Sequence, residues 1–176
     1  MRDKFFSFFL IVFIYIFLST TIWSDKELAP DIVAKDIYGN EFQLYKYKEK
    51  PKLIQFMKVY CGGSLAPNTV EQINQLTKLY QIYKDKVIFV TITLASCPTS
   101  DLKVIADKLG IKWTFINDFS DYKLDIIKAY AEYLKKLSDP ALIFINKKNQ
   151  VLFTSNFCSE KELVKYINSI LESRQK

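Results

Sequence analysis

Histidine is absent from this 176-residue chain, and that gap excludes several kinds of chemistry. No imidazole is available as an acid or base near neutral pH, no Ser-His-Asp or Cys-His couple can form, and no zinc or copper can be held by histidine. Arginine is almost missing too, since Arg2 and Arg174 are the only two. The net charge of +6 therefore rests on lysines spread along the chain. Nucleic-acid recognition wants basic residues clustered with aromatics on one face, and no such cluster is present. A solvated lysine surface is the expected use of this charge, and no nucleic-acid partner, metal or cofactor is expected. Low-complexity stretches, internal repeats and interdomain linkers are also absent after the first two dozen residues.

What is present is apolar and aromatic. Hydrophobic residues make up 49% of the chain, with 14 Phe and 11 Tyr, enough for one well-packed core and too many for a disordered chain. Arg2 and Lys4 precede an apolar run from Phe5 to Ile22, followed by small residues and the first sustained charges at Asp25-Lys26-Glu27. A basic start, an apolar core and a small-residue stretch describe a secretory signal peptide covering residues 1–24, with cleavage after Ser24. The alternative is an uncleaved anchor, since Phe5–Trp23 at about 1.5 Å per residue can cross a thin bilayer. Either way the chain from Asp25 onward is expected outside the cytoplasm, periplasmic or secreted, touching the membrane only through residues 5–23 if these are retained. In such a compartment disulfides persist, and three cysteines, Cys61, Cys97 and Cys158, leave at least one without an intramolecular partner.

The exported part, residues 25–176, reads as one α/β domain. Ile32–Ile37 and Glu41–Leu44 flank Tyr38-Gly39-Asn40 and predict a short hairpin. Lys46–Lys52, with Pro51, reads as a lysine-rich loop, and Leu53–Val59 as a buried strand. Pro67 opens an amphipathic helix carrying Val70, Ile73, Leu76 and Leu79 at three- and four-residue steps. Val87–Leu94 is a β-branched run suited to a central strand buried on both faces. Thr99–Leu109 is a helix stopped by Gly110. Lys112–Ile116 is a short strand and Tyr122–Leu137 a second long helix. Ala141–Asn146 and Gln150–Ser155 form a late hairpin, and Ser159 with Glu162 caps a last helix reaching about Leu171. This order gives a parallel central pair with antiparallel strands added late.

Cys61 follows the first buried strand and precedes the helix from Pro67. At such a junction backbone N–H groups and the helix dipole favour a negative charge, which eases thiolate formation. The segment is Cys61-Gly62-Gly63-Ser64, a Cys-x-x-Cys pattern with serine in the second place. Cys97-Pro98-Thr99-Ser100 is a second Cys-x-x-Ser at a helix start.

In this arrangement the chain resembles the thioredoxin-like proteins of the TlpA/ResA type and the related redoxin domains over about Leu28–Leu171. Ala29-Pro30-Asp31 with Asp36–Asn40 resembles that group's opening hairpin. Lys52–Val59 leading to Tyr60-Cys61 resembles the strand before its redox site, and Ser138–Asn146 its cis-proline loop and following strand. The resemblance implies a thioredoxin-like fold, a central mixed sheet flanked by helices with an N-terminal β-hairpin extension. It also implies a cis bond before Pro140, putting the Asp139 backbone beside Cys61, where family members hold a partner's extended peptide. The family's second cysteine corresponds to Ser64, whose hydroxyl cannot resolve a mixed disulfide. The copper-handling relatives need a Cys-x-x-x-Cys and a distant histidine, and this chain has neither.

In a thioredoxin-like sheet the strands before Cys61 and Cys97 are neighbours about 4.8 Å apart, compatible with disulfide geometry. On that basis Cys61–Cys97 ranks above Cys97–Cys158, and Cys61–Cys158 last. Such a pair can be a catalytic couple or a brace contributing about 3–4 kcal/mol. A thiol peroxidase reading fails, because position 58 is Lys where Thr or Ser is needed and no arginine is placed to hold the thiolate. Two functions follow. One is a thiol–disulfide protein forming mixed disulfides with exported protein thiols through Cys61, resolved by Cys97 or an external thiol. The other is a redox-inactive module whose groove between Gly62-Gly63 and Asp139-Pro140 binds a peptide or protein partner, its cysteines structural.

Overall fold

The computed structural model describes residues 27–60, 62, 64–119 and 124–173. The leader or anchor assigned to residues 1–24 lies outside these, as do Cys61 and Gly63. No helix among the described residues is long and apolar enough to cross a membrane.

Lys52–Lys58 (β3) is the central strand, and every residue of it except Lys58 is buried. Its run of Leu53, Ile54, Phe56 and Met57 can be covered only by layers on both faces, which is how parallel strands are accommodated. On one side β3 pairs in parallel with Ile88–Leu94 (β4), register Lys52 with Ile88 through Lys58 with Leu94. On the other it pairs antiparallel with Ala141–Ile145 (β6). Thr114–Asn117 (β5) adds in parallel to β4, and Val151–Ser155 (β7) adds antiparallel to β6, giving the order β5-β4-β3-β6-β7.

Val33–Lys35 (β1) and Glu41–Gln43 (β2) form a separate antiparallel hairpin. Its turn is set by Asp36, whose carboxylate accepts the backbone N–H groups of Tyr38 and Asn40, while Gly39 takes φ +89°. The hairpin is fixed to the edge of the sheet by the Ile37 N–H, which donates to the Phe115 carbonyl at 2.8 Å.

One face of the sheet packs Leu53, Met57, Phe89, Phe115, Leu142 and Phe144 against three helices: Pro67–Tyr83 (α1), Thr99–Leu109 (α2) and Glu160–Glu172 (α5). The other face packs Ile54, Phe56, Val90, Ile92 and Ile143 against Ile32, Phe42 and Leu44 of the hairpin region and against Ile126 and Tyr130. Each of these fully buried side chains stabilises the fold by about 1.5–3 kcal/mol relative to exposure. Helix ends fall where their signals place them. Gly110 caps α2 at φ +68°, and Ser159 and Glu162 form the reciprocal box at the start of α5.

The helix expected over Tyr122–Leu137 is instead two short ones, Asp125–Ala129 (α3) and Ala131–Leu134 (α4), with residues 120–123 outside those described. Tyr130 breaks them. Its side chain is fully buried against Phe56, and its hydroxyl donates to the Pro30 carbonyl at 2.7 Å. Asp118 starts α3 by accepting the N–H groups of Ile126 and Ile127. The apolar spacing of the segment is genuine, but bonds to distant residues decide its path. Lys52, where the lysine-rich loop meets the expected strand, is the first residue of β3 and wholly buried, its Nζ donating to Asn149 Oδ1.

Candidate functional site

Three structural features converge at the C-terminal end of β3. First, the chain leaves the strand at Lys58 and reaches Tyr60, 58% exposed, whose N–H donates to the Ser64 carbonyl at 3.2 Å. Tyr60 and Ser64, the described residues that flank positions 61–63, are thereby held together. Gly62 takes φ +99°, and a Cβ there would meet nothing within 4 Å, so glycine serves the backbone conformation rather than close packing. Second, α1 begins immediately afterwards at Pro67 with Ala66 as its N-cap. No side chain caps it and no acidic residue lies in its first turn, so no carboxylate there opposes the positive end of the helix dipole.

Third, the Asp139–Pro140 peptide bond is cis. Asp139 Oδ1 accepts the Lys58 backbone N–H at 3.1 Å, and the Ser138 N–H donates to Asn156 Oδ1 at 2.7 Å. The loop is thus tied to the end of β3 on one side and to the segment after β7 on the other. Asp139 and Pro140, singled out from the sequence, stand three residues in sequence from the Cys61 position through the Lys58 bond.

Cys97 follows β4 in the sequence as Cys61 follows β3. Lys58 and Leu94 are register partners, and each cysteine lies three residues beyond its strand's partner residue. Cys97 is 6% exposed. The approach to it is fixed by Asn117 of β5, whose side chain accepts from the Ala95 N–H and donates to the Ala95 carbonyl. The Cys61–Cys97 pairing involves a residue outside those described. Cys158 is a free thiol, 1% exposed, with Sγ 3.2 Å from Ser155 Oγ, so neither pairing that includes Cys158 is present. Burial pushes its pKa up, the Ser155 hydrogen bond opposes that, and Glu162 adds to it.

Gln72 of α1 is a site residue that sequence reasoning missed. It is fully buried, with Oε1 accepting the Cys158 N–H at 2.7 Å and Nε2 facing the Cys158 carbonyl at 3.3 Å. A polar residue on the apolar stripe of α1 was the available signal. Beside the cis-proline loop lies a cavity of about 230 Å³ walled by Phe56, Ile92, Ile127, Leu134 and Leu137. The described residues contain no cluster of acidic or cysteine side chains suited to a metal ion.

No family model matches the sequence, and no curated protein matches it significantly. Solved structures do match. A thiol:disulfide interchange protein of the thioredoxin family from Chlorobium tepidum aligns with TM-score 0.71 at 15% identity, covering 83% of this chain and 97% of its own. A putative protein disulfide isomerase from Bacteroides thetaiotaomicron aligns with TM-score 0.69 at 19% identity, covering 84% and 90%. A secreted Mycobacterium tuberculosis disulfide oxidoreductase, homologous to E. coli DsbE, aligns with TM-score 0.62 at 18% identity, covering 78% and 95%. At these identities the likeness shows the fold alone, and that fold is thioredoxin-like.

Proposed function

We propose that residues 25–176 form an exported thiol–disulfide protein that makes mixed disulfides with client proteins through Cys61, and that residues 1–24 serve as its signal peptide or membrane anchor. The observation that carries this reading is the convergence at the end of β3: the Tyr60–Ser64 bond, the uncapped start of α1 and the cis-proline loop tied to Lys58 flank one cysteine position. Export is supported by the basic and apolar pattern of residues 2–22 and by the secreted Mycobacterium tuberculosis structural neighbour.

The chemistry has two steps. Cys61 thiolate attacks one sulfur of a client disulfide; the client S–S bond breaks, a Cys61–client bond forms, and the second client sulfur leaves as thiolate. A second thiolate then attacks the Cys61 sulfur and releases the client as a thiol. If Cys97 supplies that thiolate, the client is reduced and Cys61–Cys97 is the oxidised product. If an external thiol supplies it, the external molecule takes Cys61 in a new mixed disulfide. Ser64 takes no part in either step. The near-complete burial of Cys97 makes its approach the slower alternative, requiring local opening of the Ala95–Pro98 segment.

The test is the alkylation rate of the protein from Asp25 onward against pH, with non-reducing peptide mapping. Rapid reaction below pH 7 that disappears in Cys61→Ala, and recovery of Cys61 in mixed disulfides or with Cys97, is expected. An ordinary thiol pKa at Cys61 would favour the other reading, in which the Gly62-Gly63 and Pro140 groove binds a peptide without redox chemistry.

A further inference from the structure

A second cavity lies at the other end of the sheet. It encloses about 540 Å³ and is lined by the first residues of β4 and β5, Ile88 and Thr114. The candidate redox end is at the opposite tips of the same strands, about 20 Å away at 3.3 Å per residue over β4. Its volume falls within the range of small-molecule sites.

The walls differ in chemistry. The floor is a cluster of three rings: Tyr80 meets Trp113 at 5.3 Å and Phe89 at 5.5 Å between centroids. Trp113 is held in place by its indole N–H, which donates to Thr91 Oγ1 at 2.9 Å. The hairpin wall adds a second aromatic surface, Phe42 stacked on Tyr47 at 5.6 Å, with Tyr47 39% exposed. That wall also carries the two acids of the cavity, Asp36 and Glu41. Asp36 is engaged in the hairpin turn and the Asn40 side chain, which leaves Glu41 as the available carboxylate. The residues just after α1 and just before β5 add two ammonium groups to the lining, Lys84 and Lys112. All three of Glu41, Lys84 and Lys112 are exposed, and among the described residues none of them forms an ion pair.

The lining of the cavity therefore combines an available carboxylate, two ammonium groups and a cluster of aromatic rings. A purely cationic guest would suit an aromatic cage but meets two lysines of its own sign. A purely anionic guest meets Glu41. We infer that this cavity binds a small zwitterionic aromatic molecule of the free aromatic amino acid class, with its ring on the Tyr80–Trp113 floor, its ammonium at Glu41 and its carboxylate at Lys84 and Lys112. The hairpin that carries Glu41 is fixed to β5, next to Lys112, through the Ile37–Phe115 bond.

The probe is L-phenylalanine, read by its effect on the Trp113 indole N–H resonance in ¹⁵N-labelled protein beginning at Asp25, which lacks Trp23. Saturable displacement of that resonance with a Kd on the order of 1 mM or tighter is expected. 3-Phenylpropanoate, which lacks the ammonium, and phenethylamine, which lacks the carboxylate, should each bind several-fold more weakly. Glu41→Gln should remove the preference over 3-phenylpropanoate, and Lys84→Gln with Lys112→Gln the preference over phenethylamine. All are surface substitutions that leave the fold intact, verified by an unchanged Tm. No displacement of the Trp113 signal, equal binding of the three probes, or unaltered preferences in the variants would each overturn the assignment.

Discussion

Lys52 gives the sharpest test of how this fold handles charge. Its side chain is fully buried at the start of β3, and its Nζ reaches Asn149 Oδ1. Desolvation lowers its pKa from 10.5 to about 8, against smaller opposing effects of Asp31 and Glu49. A lysine whose folded value lies below its unfolded one binds fewer protons when folded. Between pH 8 and 10.5 the unfolded chain therefore carries the extra proton, and stability rises with pH across that window. With the stated values the rise from pH 8 to pH 10 amounts to about 1–2 kcal/mol after allowance for solvent screening near the rim of the sheet. Lys52→Met keeps the unbranched stem of the side chain, one atom shorter, and abolishes this titration. Cys158, raised by burial, loses stability in the same alkaline range, but it is common to both proteins and cancels in the comparison. Urea unfolding of both proteins at half-unit steps from pH 7 to pH 10 is the assay. The wild type should gain on the variant as pH rises. Parallel curves would refute the claim that Lys52 is folded into a desolvated site.

Gln72→Ala removes both side-chain contacts to the Cys158 backbone and opens a void between α1 and the segment after β7; a loss of roughly 2–4 kcal/mol in urea unfolding is expected. Gly110→Ala puts a Cβ at φ +68° and 3.5 Å from Thr77 Cγ2, an ordinary contact, so the cost is backbone strain of about 1 kcal/mol, measurable as a lower Tm. Cys158, buried and raised in pKa, should resist alkylation in the folded protein and react only after denaturant is added; modification under native conditions would contradict its placement.

The elements legible from sequence are those whose determinants are local. Gly110, the Ser159–Glu162 box, Pro67 and the Asp36–Asn40 turn act within a few residues of themselves, and each element they bound was placed to within a residue or two. The strands were legible because β3, β4 and β6 are apolar enough to require cover on both faces. What escaped was decided at long range. Tyr130 interrupts a helical pattern because its hydroxyl finds Pro30, a hundred positions away. The burial of Lys52 escapes because a lysine at a strand start is ordinarily solvated, and nothing nearby announces Asn149. Gln72 is invisible for the same reason, since its partner is the backbone of Cys158, which has no sequence signature.

The candidate site illustrates the same division. Its frame is built from main-chain groups: the Tyr60 N–H on the Ser64 carbonyl, the Lys58 N–H on Asp139, the bare start of α1. A carbonyl is supplied by any residue, so the serine at position 64 keeps the Tyr60 bond that a cysteine there would also make. The fold therefore has no structural need of a second sulfur at that place, and its replacement changes the chemistry open to Cys61 without loosening the frame around it. That separation is why a strand and a turn can be read from the residues that form them, whereas the cis form of the Asp139–Pro140 bond was implied only by the family resemblance and the chemistry proposed for Cys61 turns on which second thiol is present.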